Sequence, residues 1–273
     1  MKILILGYSD LVKRKVIPAI KKFKNIKYDI ASKSKKDQKT GQEKWYKDYY
    51  EAIRKSDAEI VYISLINSLH YTFALKSLNL KKNVIVDKPI TLNLKQTQKL
   101  IKTAKKKGVL ISEALVFNYH RQFYLIKKII KKNKIPIDNI IMQFCIPKPP
   151  KDNFKLSKKM GGGCFNDMSP YAAAVKRLFI NKKIKFLKIL SKYTNKISES
   201  FCLTIKSEKT NFFGIFSHNS EYKNDIVLLT KSYLINAKRF SAPPSNLNLT
   251  VNFKKKNKLK KFIVKKDDIF ENY

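Results

Sequence analysis

The chain has 273 residues, of which 44% are hydrophobic and 12% aromatic; this is enough apolar surface to exclude a disordered chain and to fill one large or two modest domains. A formal net charge of +39 would suit a nucleic-acid or anionic-membrane binder, but the basic residues are nearly all lysines scattered from Lys2 to Lys266. Arginine occurs only at Arg14, Arg54, Arg121, Arg177 and Arg239, and dedicated nucleic-acid readers lean on arginine forks. With Ile, Asn, Phe and Tyr abundant and Ala and Gly scarce, the charge reads as the bias of codons rich in adenine and thymine. It favours anionic substrates but indicates no specific nucleic acid and no membrane. No apolar stretch approaches the roughly 18 residues of a membrane span, and the run after Met1 is too short for a signal segment, so a cytoplasmic protein is expected. Cys145, Cys164 and Cys202 are odd in number and lack metal-ligand spacing, which predicts reduced thiols and no metal site.

Lys2 to Leu6 is apolar after its first residue, as a strand buried on both faces should be, and Gly7 ends it. Leu11, Val12, Val16, Ile17, Ile20 and Phe23 follow at helical spacing. The alternation continues with strand 26–31, a helix near 48–55, strand 58–64, helix 69–78, strand 83–86, helix 95–107 and strand 109–112. This rhythm predicts a doubly wound parallel sheet of Rossmann type. After about residue 122 it changes: helix 124–131, strand 140–146, a Pro147-Lys148-Pro149-Pro150 loop, Gly161-Gly162-Gly163 and helix 167–179 lead into successive strands at 186–193, 201–205, 211–218, 225–230 and 247–253. Strands in series predict an α+β domain with a largely antiparallel open sheet. Two domains are expected, 1–120 for dinucleotide binding and 121–273 for substrate binding and oligomerisation.

Gly7-Tyr8-Ser9-Asp10-Leu11-Val12 keeps only the first glycine of the G-x-G-x-x-G fingerprint. Gly7 permits the tight turn, Ser9 is small enough for a pyrophosphate to approach, and the helix N-terminus offers N–H groups and partial positive charge; a purely structural turn is the other reading. At the end of the second strand, where an NAD-preferring fold places an acid, stand Ser32 and Lys33. A hydroxyl and a cation suit a 2′-phosphate, so NADP(H) is favoured over NAD(H). Asp29 lies inside the strand. Asp167 and Tyr171 are four apart on a helix and face the same way, so they can share one ligand, or else cap the helix and pack. Three glycines together, in a chain with seven, mark a backbone passing close to something.

The ordered set of Ile5-Leu6-Gly7-Tyr8-Ser9-Asp10-Leu11 with Arg14 and Ile17-Pro18-Ala19-Ile20, Val61-Tyr62-Ile63-Ser64 with Asn67-Ser68-Leu69-His70, and Val84-Ile85-Val86-Asp87-Lys88-Pro89 resembles the glucose-fructose oxidoreductase/inositol dehydrogenase (Gfo/Idh/MocA) family. Glu113-Ala114-Leu115-Val116-Phe117 with His120 and Gln122, Asp152-Asn153-Phe154-Lys155, and the glycine triplet with Asp167 and Tyr171 continue the pattern. Ser220 to Asn224, Arg239 to Pro244 and Asp267 to Phe270 look like the branch that reduces 3-keto nucleotide sugars. The resemblance implies an NAD(P)-dependent oxidoreductase transferring a hydride between a nicotinamide and a sugar or nucleotide-sugar carbonyl or alcohol. It implies cofactor contacts from Gly7, Ser9, Asp10, Leu11, Ser32, Lys33, Ser64, Asn67, His70, Asp87 and Lys88, and substrate contacts from Asn118, His120, Lys155, Asp167 and Tyr171. In the catalytic roles, Lys88 hydrogen-bonds the substrate oxygen whose charge changes, Tyr171 exchanges the proton and Asp167 orients the substrate. An open sheet face of the family kind favours a homo-oligomer. Asn118 and Arg121 depart from the family's usual residues, and the family continues past the Asp267-Asp268-Ile269-Phe270 region, so a shortened C-terminus is expected. The competing readings are a nonenzymatic nucleotide-binding protein on the same fold and a polyanion binder.

Overall fold

In the computed structural model the described residues are 1–34, 41–256 and 258–273. The chain divides into two compact units, Met1–Ala114 with Lys159–Gly161, and Leu115–Lys158 with Gly162–Tyr273.

The first unit is built on a six-stranded parallel sheet of β1 (Lys2–Leu6), β2 (Lys27–Ala31), β3 (Trp45–Tyr46), β4 (Ile60–Ile63), β5 (Asn83–Asp87) and β6 (Ile111–Ala114), in the order β3-β2-β1-β4-β5-β6. This is the doubly wound dinucleotide-binding order, in which ligands sit beyond the carboxyl ends of the strands where the order reverses, here between β1 and β4. Leu4, Leu6, Val61, Ile63, Val84 and Val86 of the strands pack with Ala52 and Ile53 of α2 (Tyr49–Lys55), Ala74 and Leu78 of α3 (Asn67–Asn79), and Leu100 and Ala104 of α4 (Leu94–Lys107). The first helix opens with a π-helical stretch, Val12–Val16, before α1 (Ile17–Ile20). Val12, fully buried, stands where the fingerprint has its third glycine. The strand expected at 109–112 begins two residues later. Gly108, at φ 66°, ends α4 left-handed, and the Val109 N–H still bonds the Ala104 carbonyl of that helix.

The second unit holds an eight-stranded sheet in the order β14-β13-β12-β11-β7-β10-β9-β8. Its strands are β7 (Asn139–Cys145), β8 (Ile184–Thr194), β9 (Ile197–Ser207), β10 (Asn211–Ser217), β11 (Lys223–Leu229), β12 (Tyr233–Lys238), β13 (Leu249–Lys255) and β14 (Lys258–Val264). Among its described residues only β7 and β10 pair in parallel; the other neighbours are antiparallel. Helices α5 (Arg121–Lys132) and α6 (Cys164–Phe179) pack on this sheet, and α7 (Ile269–Asn272) closes the chain. Phe123, Ile126, Met168 and Val175 of the helices meet Ile140, Met142, Phe201, Phe212, Phe216 and Ile226 of the strands. Phe201 and Phe216 stack at 4.6 Å. Phe213 and Ile215 of β10 and Leu187 and Leu190 of edge strand β8 stay exposed.

Asp29, fully buried in β2, answers why a carboxylate can lie inside that strand. It accepts from the Ser56 hydroxyl (2.7 Å) and the Lys44 N–H (3.1 Å) and lies 3.2 Å from the Lys2 ammonium. Lys2 also reaches Asp57 (2.6 Å) and Glu43 (2.8 Å). Burial alone would lower the Lys2 pKa, but the hydrogen bonds to Asp57, Glu43 and Asp29 outweigh it and hold the ammonium above its ordinary range. Hydrogen bonding to Lys2 holds Glu43 and Asp57 below theirs. Depressed acids stabilise the fold above their unfolded values and lose that effect as pH falls through the folded ones; a raised lysine stabilises below its unfolded value and loses the effect as pH rises through the folded one. The cluster therefore stabilises between the carboxylate and lysine ranges. Lys2→Met is expected to destabilise by about 3 kcal/mol at neutral pH, because Asp29 loses its cation, and to flatten the fall in Tm on acidification; thermal melts across the acid range check both.

Candidate active site

The sequence-predicted cofactor residues of the first unit gather at one edge of its sheet. The Gly7–Leu11 turn follows β1, Ser32 and Lys33 follow β2, Ser64 follows β4, Asp87 ends β5 and Lys88 comes next. Gly7 has φ 98°, and a Cβ there would stand 2.2 Å from the Ser64 carbonyl oxygen. The turn thus needs glycine to cross β4 at this distance. The Ser9 hydroxyl lies 2.9 Å from that of Ser64 and also accepts from the Val12 N–H at 3.2 Å, so it caps the first turn. Tyr8 is set edge-on to Trp45 (5.3 Å between centroids), with the Lys13 ammonium over its ring at 4.7 Å. Asp10 and Leu11 are exposed at the helix start. Ser32, buried, bonds the Ser34 hydroxyl (2.9 Å), and Lys33 is exposed beside it. A small-residue turn, a helix N-terminus and an exposed lysine after β2 fit a dinucleotide phosphate.

The segment carrying Lys88 is held from both sides. His70, fully buried in α3, has Nδ1 2.8 Å from the Pro89 carbonyl and Nε2 3.0 Å from the Leu65 carbonyl. With a carbonyl against each nitrogen and one N–H to donate in a neutral imidazole, His70 sits between the loops after β4 and β5. Glu113 Oε1 accepts from the Ile90 N–H at 2.9 Å. Asp87 accepts from the Tyr62 hydroxyl at 2.5 Å. Burial pushes the Asp87 pKa up, against hydrogen bonds from Ser64 and Tyr62 and the charges of His70 and Lys88. Asn67 begins α3 and donates to the Gly161 carbonyl at 2.9 Å.

In the second unit, Asp167 and Tyr171 occupy successive turns of α6. Asp167 lies in the first turn, where a carboxylate complements the helix dipole. Its Oδ2 is 2.8 Å from the Lys155 ammonium and 2.9 Å from His218 Nε2. Tyr171 packs its ring against Phe117 (5.6 Å) and Phe144 (5.1 Å). The glycine triplet shows what it passes. A Cβ on Gly162 would meet the carbonyls of Phe154 and Lys155 at 2.5 Å, and one on Gly163, at φ 105°, would meet the Ser198 hydroxyl at 2.8 Å. The triplet lets the start of α6 close over the turn that carries Lys155. His120 caps α5, its Nδ1 accepting from the Gln122 N–H at 3.0 Å, and burial lowers its pKa. His120 Nε2 and Asn118 Oδ1 are buried without a hydrogen-bond partner. His218 is isolated in sequence from the other motifs, and its place beside Asp167 follows only from the strand register. Among the described residues no three His, Cys, Asp or Glu side chains gather as a metal site, and no helix is long and apolar enough to cross a membrane.

These features define a Rossmann dinucleotide-binding unit joined to an α+β unit with a polar cluster at the start of one helix. Residues 1–115 match the GFO_IDH_MocA model, an oxidoreductase family with an NAD-binding Rossmann fold, the family that the sequence motifs resemble. Among curated proteins, the dTDP-3,4-didehydro-2,6-dideoxy-alpha-D-glucose 3-reductase of Actinomadura kijaniata is 24% identical over 189 residues, covering 67% of this chain and 57% of that one. The trans-1,2-dihydrobenzene-1,2-diol dehydrogenase of Xenopus tropicalis is 27% identical over 141 residues, covering 50% and 42%. The chain spans about half the length of the curated relatives it matches. The crystal structure of KijD10, a 3-ketoreductase from Actinomadura kijaniata, in complex with NADP and TDP-benzene, superposes with a TM-score of 0.93 at 20% identity, covering 100% of this chain and 86% of that one. An aldose-aldose oxidoreductase from Caulobacter crescentus gives 0.87 at 14% identity, covering 99% and 86%.

Proposed function

We propose that the protein is an NADP(H)-dependent oxidoreductase that reduces the carbonyl of a nucleotide-linked sugar, or oxidises the corresponding alcohol. The observation that carries this reading is the convergence of Gly7, Ser9, Ser64, Asp87 and Lys88 at the carboxyl ends of β1, β4 and β5, in a unit that matches a nicotinamide-dependent oxidoreductase family. Ser32 and Lys33 after β2 favour a 2′-phosphate over a bare ribose, and the NADP and TDP-benzene bound by the Actinomadura 3-ketoreductase support both the cofactor and the substrate class. When bound, the nicotinamide supplies or accepts the hydride.

The chain's own residues do the rest. Lys88, pinned between the His70 and Glu113 anchors, donates a hydrogen bond to the substrate oxygen as charge develops on it. Tyr171 delivers or takes the proton. Asp167, with Lys155 against it, accepts from a substrate hydroxyl and sets its orientation; His120 and Asn118, with buried atoms lacking partners, add polar contacts for the sugar. The exposed Leu187, Leu190, Phe213 and Ile215 support a homo-oligomer. Titration with each cofactor tests the reading: NADPH is expected to bind at least about tenfold more tightly than NADH, equivalent to about 1.4 kcal/mol, and Lys33→Ala to remove most of that preference. Binding of neither cofactor would overturn it.

A further inference from the structure

We propose that His218 is a positioning residue that fixes the carboxylate of Asp167 for substrate binding; this rests on the reading that Asp167 holds the substrate. His218 directly follows β10, and its backbone N–H donates to the Glu199 carbonyl at 2.9 Å, which pins the residue to β9. Its side chain is 2% exposed and its Nε2 is 2.9 Å from Asp167 Oδ2. Nδ1 is buried with no hydrogen-bond partner. A carboxylate only accepts, so Nε2 carries the proton. With Nδ1 bare, no buried N–H is orphaned; the other tautomer would both lose the bond to Asp167 and bury an unmet donor. The environment therefore selects the Nε2–H tautomer.

The Lys155 ammonium meets the same Oδ2 at 2.8 Å from a different element. Two donors on one oxygen fix the carboxyl plane, and they do so from anchors of different kinds. Lys155 rides on a short turn covered by the Gly162 backbone, and its side chain keeps 27% exposure, whereas His218 is locked into the sheet. Lys155 supplies charge to a ligand that is ionic; His218 supplies direction. Such a residue acts through Asp167 on substrate affinity and leaves the cofactor untouched.

The chain has only three histidines, so long-range proton–nitrogen NMR of the uniformly labelled protein can read each tautomer. The wild type is expected to show His218 as the Nε2–H form, with its resonances shifted in Asp167→Asn. An Nδ1–H form, or a His218 signal indifferent to Asp167→Asn, overturns the proposal whether or not the protein turns over a sugar. In kinetics with NADPH and a dTDP-linked 3-keto sugar, His218→Phe is expected to raise KM for the sugar about tenfold, with kcat changed less than about threefold and NADPH affinity unchanged. His218→Gln, whose amide nitrogen reaches as far as Nε2, is expected to restore KM to within about threefold of wild type. Equal losses in both variants, or a fall in kcat at constant KM, also overturn it. Absence of NADPH binding and of turnover in the wild type contradicts the enzymatic reading instead, and the NMR result then decides the placement of His218.

Discussion

Tyr171→Phe and Lys88→Ala are each expected to lower kcat for reduction of a nucleotide-linked keto sugar by about 10²- to 10³-fold, the range for removing a proton donor or an oxyanion donor. Tyr171→Phe keeps the ring that packs on Phe117 and Phe144, so its fold and its affinity for NADPH should match wild type. Lys88 follows β5, in a segment tied down through the Pro89 carbonyl and the Ile90 N–H. Its truncation should leave those anchors in place and change NADPH affinity by no more than about threefold. Steady-state kinetics beside a fluorescence titration of the cofactor separates these effects. A Tyr171→Phe variant with unaltered kcat would remove the tyrosine from proton exchange and leave Lys88 as the remaining candidate.

The second large effect is structural and falls on the turn after β1. Gly7→Ala is expected to abolish measurable NADPH binding and to cost at least about 3 kcal/mol, since the new Cβ would stand 2.2 Å from backbone at Ser64 while φ is 98°. The chain can relieve this only by parting the turn from β4, where the proposed phosphate site lies. Gly108→Ala provides the comparison. That glycine is also left-handed, at φ 66°, but a Cβ there meets nothing within 4 Å, so only the backbone penalty of about 1 kcal/mol applies. Thermal melts should show a much larger fall for Gly7→Ala, and NADPH should still bind Gly108→Ala with wild-type affinity.

The reasons for these effects were unevenly legible in the sequence. β1, β4 and β5 hold continuous apolar runs ended by Gly7, Ser64 and Asp87, and such runs announce doubly buried parallel strands directly. β12 and β14 were not found. Tyr233–Lys238 carries Asn236 opposite Asn252 of β13, and Lys258–Val264 is an edge strand crowded with lysines, so in both the polar residues hide the period of two. Lysines on an edge strand also deter pairing with another chain, which gives them a physical role beside the codon bias. β3, only two residues long, carries too little pattern to be read.

The site was legible where chemistry and spacing coincide. Asp167 and Tyr171 lie one helical turn apart, and the glycine triplet beside them signals a close crossing, which the carbonyls of Phe154 and Lys155 supply. Lys155 was placed with them by motif alone, and the structure sets its ammonium against Asp167. His218 and Glu113 were missed as positioning groups because their partners are distant in the chain. His218 meets a residue 51 positions away and Glu113 one 23 away, and no local spacing records such a contact. His70 makes contacts of the same long-range kind: beside Asn67 it suggested a cofactor ligand, and the fold sets its ring between the Pro89 and Leu65 carbonyls.

Hydride transfer from a reduced nicotinamide to a sugar carbonyl can be read out by isotope transfer. The protein should be incubated with NADPH deuterated at the transferring carbon and the dTDP-linked 3-keto sugar reduced by the Actinomadura relative, and the product examined by mass spectrometry and NMR. One deuterium is expected at the carbon that bore the carbonyl, with stoichiometric oxidation of the cofactor. Unchanged sugar and unoxidised NADPH, across this and other dTDP- and UDP-linked keto sugars, would contradict it.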